Sequence, residues 1–177
     1  MGRVLILDGY NIVNAWPDLI KAKDESLETA REKLIDVVVN YAALTGYKVV
    51  LVFDGHKMKG NTGSREMCND VEIVYSKYNE TADQVIERMV SLFPSHEVCV
   101  VTADEVEQRL IFGRGALRMT PGEFYQEVVN VLARAKLWSK DWDPVATWVF
   151  QRVKKETKNG LEKMRRGESP LAKKEDL

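Results

Sequence analysis

The chain predicts an α/β fold built on a mainly parallel sheet of four to five strands flanked by helices. Short valine-rich runs alternate with longer segments of helical periodicity, the order in which helices cross between parallel strands. The short runs are apolar at successive positions, as strands covered on both faces require. At 177 residues, 45% hydrophobic and 30% charged, the chain has the composition of one compact domain, which argues against disorder and against a second full domain.

The first strand is expected at Val4–Leu7 and the second at Lys48–Phe53. Between them Leu27, Ala30, Leu34, Val37, Val38 and Tyr41 recur at helical spacing, with Ser26 suited to cap the start and Gly46 the end. Val71–Tyr75 is the third strand. A helix over 81–93 follows, with Ala82, Val85, Ile86, Met89 and Val90 on its apolar side and Pro94 beyond it. Glu97–Thr102 is the fourth strand, and another helix is expected from about Asp104. The stretch GRGALRMTPGEF holds a short run that could be a fifth strand, then Thr120-Pro121 as a helix start for residues 122–140. After the loop WSKDWDP, a last helix is expected over 145–166.

The apolar runs, of which VVLVF (Val49–Phe53) is typical, fall far short of the roughly 20 residues of a membrane-spanning helix. MGRVLILDGY lacks the apolar length and cleavage site of a signal peptide, so a cytoplasmic protein is expected. Cys68 and Cys99 are too few and too distant for a disulfide framework or a cysteine zinc site, and His56 and His96 cannot make a histidine-rich metal centre. Carboxylates are the abundant ligands, and they favour hard cations such as Mg²⁺ or Mn²⁺.

The net charge of −1 hides an asymmetry. Residues 151–177 hold nine Lys/Arg against five Asp/Glu, leaving −5 on the first 150. Residues 1–150 are therefore read as an acidic domain and 151–177 as a basic C-terminal helix and tail. The tail either holds a polyanion or is a solvated helix surface.

In open α/β sheets the site lies outside the carboxyl ends of the strands. Four acids fall at or near such ends: Asp8 in LDGYN, Asp54 in VFDG, Asp83 in NETADQVIE and Asp104 in VTAD. A single Asp there is an ordinary cap or turn residue, but four at equivalent points weaken that reading. Clustered carboxylates raise one another's pKa unless a cation neutralises them, so a metal is implied. Two or three carboxylates leave coordination positions of Mg²⁺ to water and phosphate oxygens, which suits hydrolysis of a phosphodiester without a covalent nucleophile.

Together LDGYN, FDG, TADQVIE and VTAD resemble the NYN domain proteins, specifically the YacP-like branch of the PIN-like ribonucleases, over nearly the whole chain to about residue 150. The resemblance implies a three-layer Rossmann-like fold, a Mg²⁺ or Mn²⁺ site and endoribonuclease activity on single-stranded RNA. In this branch it also implies action on messenger RNA in association with the ribosome. Carried over by residue, Asp8, Asp83 and Asp104 look like the metal ligands, Asn11 like the support of the first, and Thr102 like the hydroxyl beside the third. Asp54 is either a fourth acidic group or the start of a loop. Where many PIN proteins carry a further Asp after the third acid, this chain has Glu105 and Glu107. Glu87, one turn after Asp83, either reaches a metal shell or is a surface charge beside Arg88.

Tyr10 beside the site either stacks on a base or belongs to the core, while Trp16 and Trp148 read as packing residues. Residues 56–69, HKMKGNTGSREMCN, read as a mobile surface loop that could bring Lys57, Lys59 and Arg65 to RNA phosphates. Arg109, Arg114 and Arg118 could line the opposite rim. The alternative for both sets is a solvated surface. The rival function is a non-catalytic RNA- or ribosome-binding module of the same fold. An aspartate-based phosphatase is discounted, because the residue two after Asp8 is Tyr10 and not an acid.

Overall fold

The computed structural model of the chain describes residues 3–55, 62–93, 97–105, 113 and 115–138. The helix expected after Asp104, the last helix over 145–166 and the boundary at 150 fall outside those residues, as do His56, Lys57, Lys59, His96, Glu107, Arg109, Arg114 and Trp148.

A six-stranded sheet forms the centre, one strand more than expected. Its strands are β1 (Val4–Asp8), β2 (Lys48–Phe53), β3 (Ser64–Cys68), β4 (Val71–Tyr75), β5 (Val98–Val101) and β6 (Leu117–Met119), in the order β3-β4-β2-β1-β5-β6. Every pairing is parallel except β3 with β4. Hence β1, β2, β4, β5 and β6 all end at one edge. The chain builds outward from β1 through β2 to β4, then crosses back to β5 on the other side of β1. The switch in direction falls between β1 and β5, where an open α/β sheet leaves a crevice.

The helices are α1 (Gly9–Ala15), α2 (Pro17–Glu25), α3 (Leu27–Thr45), α4 (Ala82–Val90) and α5 (Pro121–Trp138). Against one face, α1, α2, α3 and α5 bury Trp16, Tyr41, Phe53 and Phe124 with Leu5, Leu7, Leu51 and Ile73. Against the other lies α4, packing Val85, Ile86 and Met89 on Ile6, Val50, Val74 and Val100. Each such large side chain contributes about 1.5–3 kcal/mol by leaving water. The result is the expected three-layer α/β domain.

Local chemistry explains the boundaries. Ser26 Oγ accepts from Thr29 N at 3.0 Å, and Gly46 closes α3 at a φ of 68°, as expected of both residues. Thr81 and Gln84 form a reciprocal capping box at the start of α4. Thr120 caps α5, accepting from Glu123 N at 3.2 Å, while its own N–H donates to Glu123 Oε2 at 2.7 Å. Trp16 is a packing residue as expected, with Nε1 donating to Pro121 O at 2.8 Å.

One region differs from the sequence expectation, and a second carries no expected element. The loop expected over 56–69 instead contains β3. Its polar SREMC has no apolar alternation because the strand lies at the sheet edge and is mostly exposed, joined to β4 by a tight turn with Asn69 at a φ of 53°. Residues 9–25 carry no recognisable periodicity, yet form α1 and α2. Each is short, and Pro17 divides them by occupying the first position of the second.

Candidate active site

The motif LDGYN turns from β1 directly into α1, and each of its last four residues has a distinct task. Asp8 ends the strand, is 4% exposed, and caps α1. Its Oδ1 accepts from Asn11 N at 3.0 Å and its Oδ2 from the Asn11 side-chain amide. Gly9 is required by space: a Cβ there would run into the Phe53 ring and come within 3.0 Å of Val52 O. Tyr10 lies edge-on to Phe53, 5.3 Å between ring centroids, and its hydroxyl accepts from Arg31 Nη1 at 3.0 Å, so it packs on the core.

Burial pushes the Asp8 carboxyl above the usual carboxylate range, the Asn11 hydrogen bonds oppose this, and the charge of Asp83 adds to it. Asp83 stands in the first turn of α4 and is exposed. A helix N-terminus ordinarily favours a carboxylate. Here the carboxyl is nevertheless pushed up, first by desolvation and then by the charges of Asp104 and Asp54. At the carboxyl edge of the sheet the charge of Asp83 therefore acts on Asp8, and those of Asp104 and Asp54 act on Asp83.

Two buried hydroxyls fix the remaining acids. Thr102, fully buried after β5, accepts from Asp104 N through Oγ1 at 3.1 Å, while its own N–H donates to Met119 O at 3.2 Å. Ser76, fully buried after β4, donates to Asp54 Oδ1 at 3.3 Å and accepts from Gly55 N at 2.8 Å. Asp54 thus starts a loop and also contributes its charge to the acidic edge. Ser76 was not singled out in the sequence, because a serine following an apolar strand carries no signal of burial. Glu87 is half-buried on α4, and Glu105 is exposed.

Among the described residues, no three of His, Cys, Asp and Glu gather closely enough to hold a metal ion. The donor chemistry nevertheless suits a hard divalent cation. The donors are carboxylates, and two of them, Asp8 and Asp83, are held above their ordinary pKa by burial and by neighbouring carboxylates, a condition that a bound cation reverses. Asp8, Asp83 and Asp104, the ligands that the resemblance implies, would have to draw closer together to share one. Cys99 is buried with its thiol pushed up to about 11, which leaves it unreactive at neutral pH.

The basic residues flank the acids. Arg65 lies on β3, with Nη1 3.1 Å from Glu72 Oε1, and Arg118 lies on β6, so the two occupy opposite edges of the sheet. Arg65 is in register with Val74 and Arg118 with Val100, both valines of the α4 face.

Residues 5–166 match the family described as the YacP-like NYN domain. The chain is 39% identical over 133 residues to the uncharacterized protein YacP of Bacillus subtilis (strain 168), covering 74% of this chain and 78% of that protein. It is also similar to the crystal structure of Rae1 (YacP) from Bacillus subtilis, with a TM-score of 0.67 and 36% identity over 93% of this chain and 95% of that one. The crystal structure of a mutant of that same protein matches with a TM-score of 0.63 and 35% identity, over 82% and 89% of the two chains. A family match across most of the sequence and a relative with the same fold lead to one assignment: the chain belongs to the YacP-like NYN domain family, a PIN-like nuclease family.

Proposed function

We propose that this protein is a divalent-metal-dependent endoribonuclease that hydrolyses phosphodiester bonds in single-stranded RNA, acting in the cytoplasm on messenger RNA in association with the ribosome. The observation that carries the reading is the placement of Asp8, Asp54, Asp83 and Asp104 after or beside the carboxyl ends of parallel strands, next to the switch point of the sheet. Mg²⁺ or Mn²⁺, when bound, supplies Lewis-acid chemistry at a phosphate and a water of lowered pKa. Asn11 holds both oxygens of Asp8 in one orientation. Thr102 fixes the backbone at Asp104, and Ser76 restrains Asp54. The exposed Asp83 carboxylate is open to solvent and substrate. A site on a sheet edge flanked by loops and by Arg65 and Arg118 admits an unpaired backbone more readily than a duplex.

The spread of the acids favours a second reading, a non-catalytic RNA- or ribosome-binding module of the same fold. One experiment separates the two. Purified protein is incubated with end-labelled single-stranded RNA, duplex RNA and ribosome-bound message, with Mg²⁺, Mn²⁺ or a chelator. The nuclease reading expects cation-dependent internal cuts in unpaired or ribosome-bound RNA and their loss in Asp83→Asn. Binding without cuts under every condition establishes the module instead.

A further inference from the structure

Across α4 from Asp83, the structure contains a groove of about 420 Å³ whose lining includes Arg65, Lys77, Glu80, Val85 and Arg88. Helical spacing puts Asp83 on one flank of α4 and Val85 with Arg88 on the other, while Ala82, Ile86 and Met89 face the sheet. The groove and Asp83 therefore lie on opposite flanks of α4, about one helix diameter, ~10 Å, apart. The groove's three cations face Glu80 in the lining and Glu72 beside Arg65, which leaves a surplus of one positive charge.

The groove has fixed walls. A Cβ at Gly63 would come within 2.8 Å of Lys77 Cγ and 3.0 Å of Tyr75 O, so the stem of Lys77 lies directly on the backbone entering β3. Glu80 pairs with Arg88 and accepts from Lys77 N at 3.4 Å, and its own N–H donates to Lys77 O at 3.0 Å. These bonds lower the pKa of Glu80, mainly through Arg88. Glu80 therefore acts as a fixed brace that aims Arg88 along the groove. Arg65 is similarly steadied by Glu72 from the neighbouring strand while remaining 55% exposed. Prearranged cations that recognise no base are what a phosphate diester requires.

We propose that this groove is a phosphate subsite for single-stranded RNA, in which Lys77, Arg88 and Arg65 grip a backbone phosphate beyond the scissile one while the strand crosses the start of α4 to reach the acids. The subsite deepens the nuclease reading and rests on it for the identity of the strand. Its occupancy is nevertheless a matter of binding and not of chemistry.

The test is equilibrium binding of a fluorescent single-stranded oligoribonucleotide in chelator, where no metal chemistry interferes, across a range of salt. Compared with the unmodified chain, Lys77→Met combined with Arg88→Gln should weaken binding about fourfold at 0.15 M salt. It should also flatten the slope of log affinity against log salt by about 0.7, the value for one lost single-strand phosphate contact. Lys77→Met alone leaves the Arg88–Glu80 pair in place and should move both quantities in the same direction, which covers loss of folding in the double variant. Lys21→Ala, exposed on α2, should change neither. Inorganic phosphate in millimolar excess should not reproduce the loss at matched ionic strength, because a strand is held at several points. If phosphate alone displaces the oligonucleotide, the groove is a free-anion site and the proposal fails. Unchanged affinity and slope in both groove variants, or no binding by the unmodified chain, also overturns it. A groove effect without cleavage in any condition leaves the subsite standing and removes the nuclease reading. Cleavage with no groove effect does the reverse.

Discussion

The end of β1 and the start of α4 both present an aspartate to the same edge of the sheet, yet the two are held in opposite ways. Asp8 is buried, caps α1, and has both oxygens engaged by Asn11. Asp83 is exposed, and α4 does not need it as a cap, because Thr81 and Gln84 already close that end. Asp8 therefore has a structural explanation as well as a chemical one, whereas Asp83 has little beyond the chemical. Its carboxyl is pushed up at a helix N-terminus, where the backbone would by itself hold it down. The difference identifies Asp83 as the cleaner probe of function and Asp8 as the residue through which function and folding are joined.

The largest expected effect comes from removing charge at the functional end of that comparison. Asp83→Asn should lower RNA cleavage by more than the roughly 10–100-fold typical of losing an outer-shell partner, with the circular dichroism spectrum unchanged. Cleavage within threefold of the unmodified chain would remove Asp83 from the site. Asn11→Ala should fall inside that 10–100-fold range, because it leaves the Asp8 carboxylate in place but frees its orientation. A loss as large as that of Asp83→Asn would mean that Asn11 touches substrate itself.

At the structural end, Gly9→Ala tests whether the β1–α1 turn positions Asp8. The added methyl meets the Phe53 ring, which is itself stacked on Tyr75 and met edge-on by Tyr10, so the side chains have little room to yield. Overpacking of this kind typically costs about 1–3 kcal/mol. Urea unfolding should report a lower midpoint, together with reduced cleavage as Asp8 shifts. Unchanged stability would show that Phe53 relaxes freely.

The same contrast explains what was legible in the sequence. Strands β1, β2, β4 and β5 are short segments dominated by buried Val, Leu and Ile, and a side chain covered on both faces announces itself by composition alone. The caps Ser26, Gly46 and Thr120 are local chemistry and were equally readable. By contrast, β3 escaped because an exposed edge strand gains its pairing from β4 and not from its own residues. Helices α1 and α2 escaped because seven and nine residues are too few to display a period, and their stability comes from packing Ile12, Val13, Trp16 and Leu19 into the core. The four acids were visible at their strand ends. The hydroxyls of Ser76 and Thr102 owe their roles to burial, which no short motif encodes; Thr102 was flagged only through family resemblance. Lys77 and Arg88, too, are brought beside Arg65 only by the fold.

The smallest expected effect is the most specific. Because the folded chain holds Asp83 above the ordinary aspartate value of about 3.9, it binds that proton more tightly than the unfolded chain. The corresponding stability is fully present below about pH 4 and is lost as pH rises through the raised value. At neutral pH the ionised group is therefore a net cost. Asp83→Asn should consequently melt at a slightly higher temperature than the unmodified chain at pH 7 in chelator, and the gap should close as the pH falls toward 4. Asp8→Asn shares the raised carboxyl and retains a capping side chain, but it sets two amides against each other where Asn11 now donates to a carboxylate. Its gain at pH 7 should therefore be smaller than that of Asp83→Asn, or reversed. Mn²⁺ should raise the melting temperature of the unmodified chain by preferring the folded acids, and should raise that of either variant less. Melting temperatures that respond identically to pH and to Mn²⁺ in all three proteins would mean that the two aspartates do not share a cation.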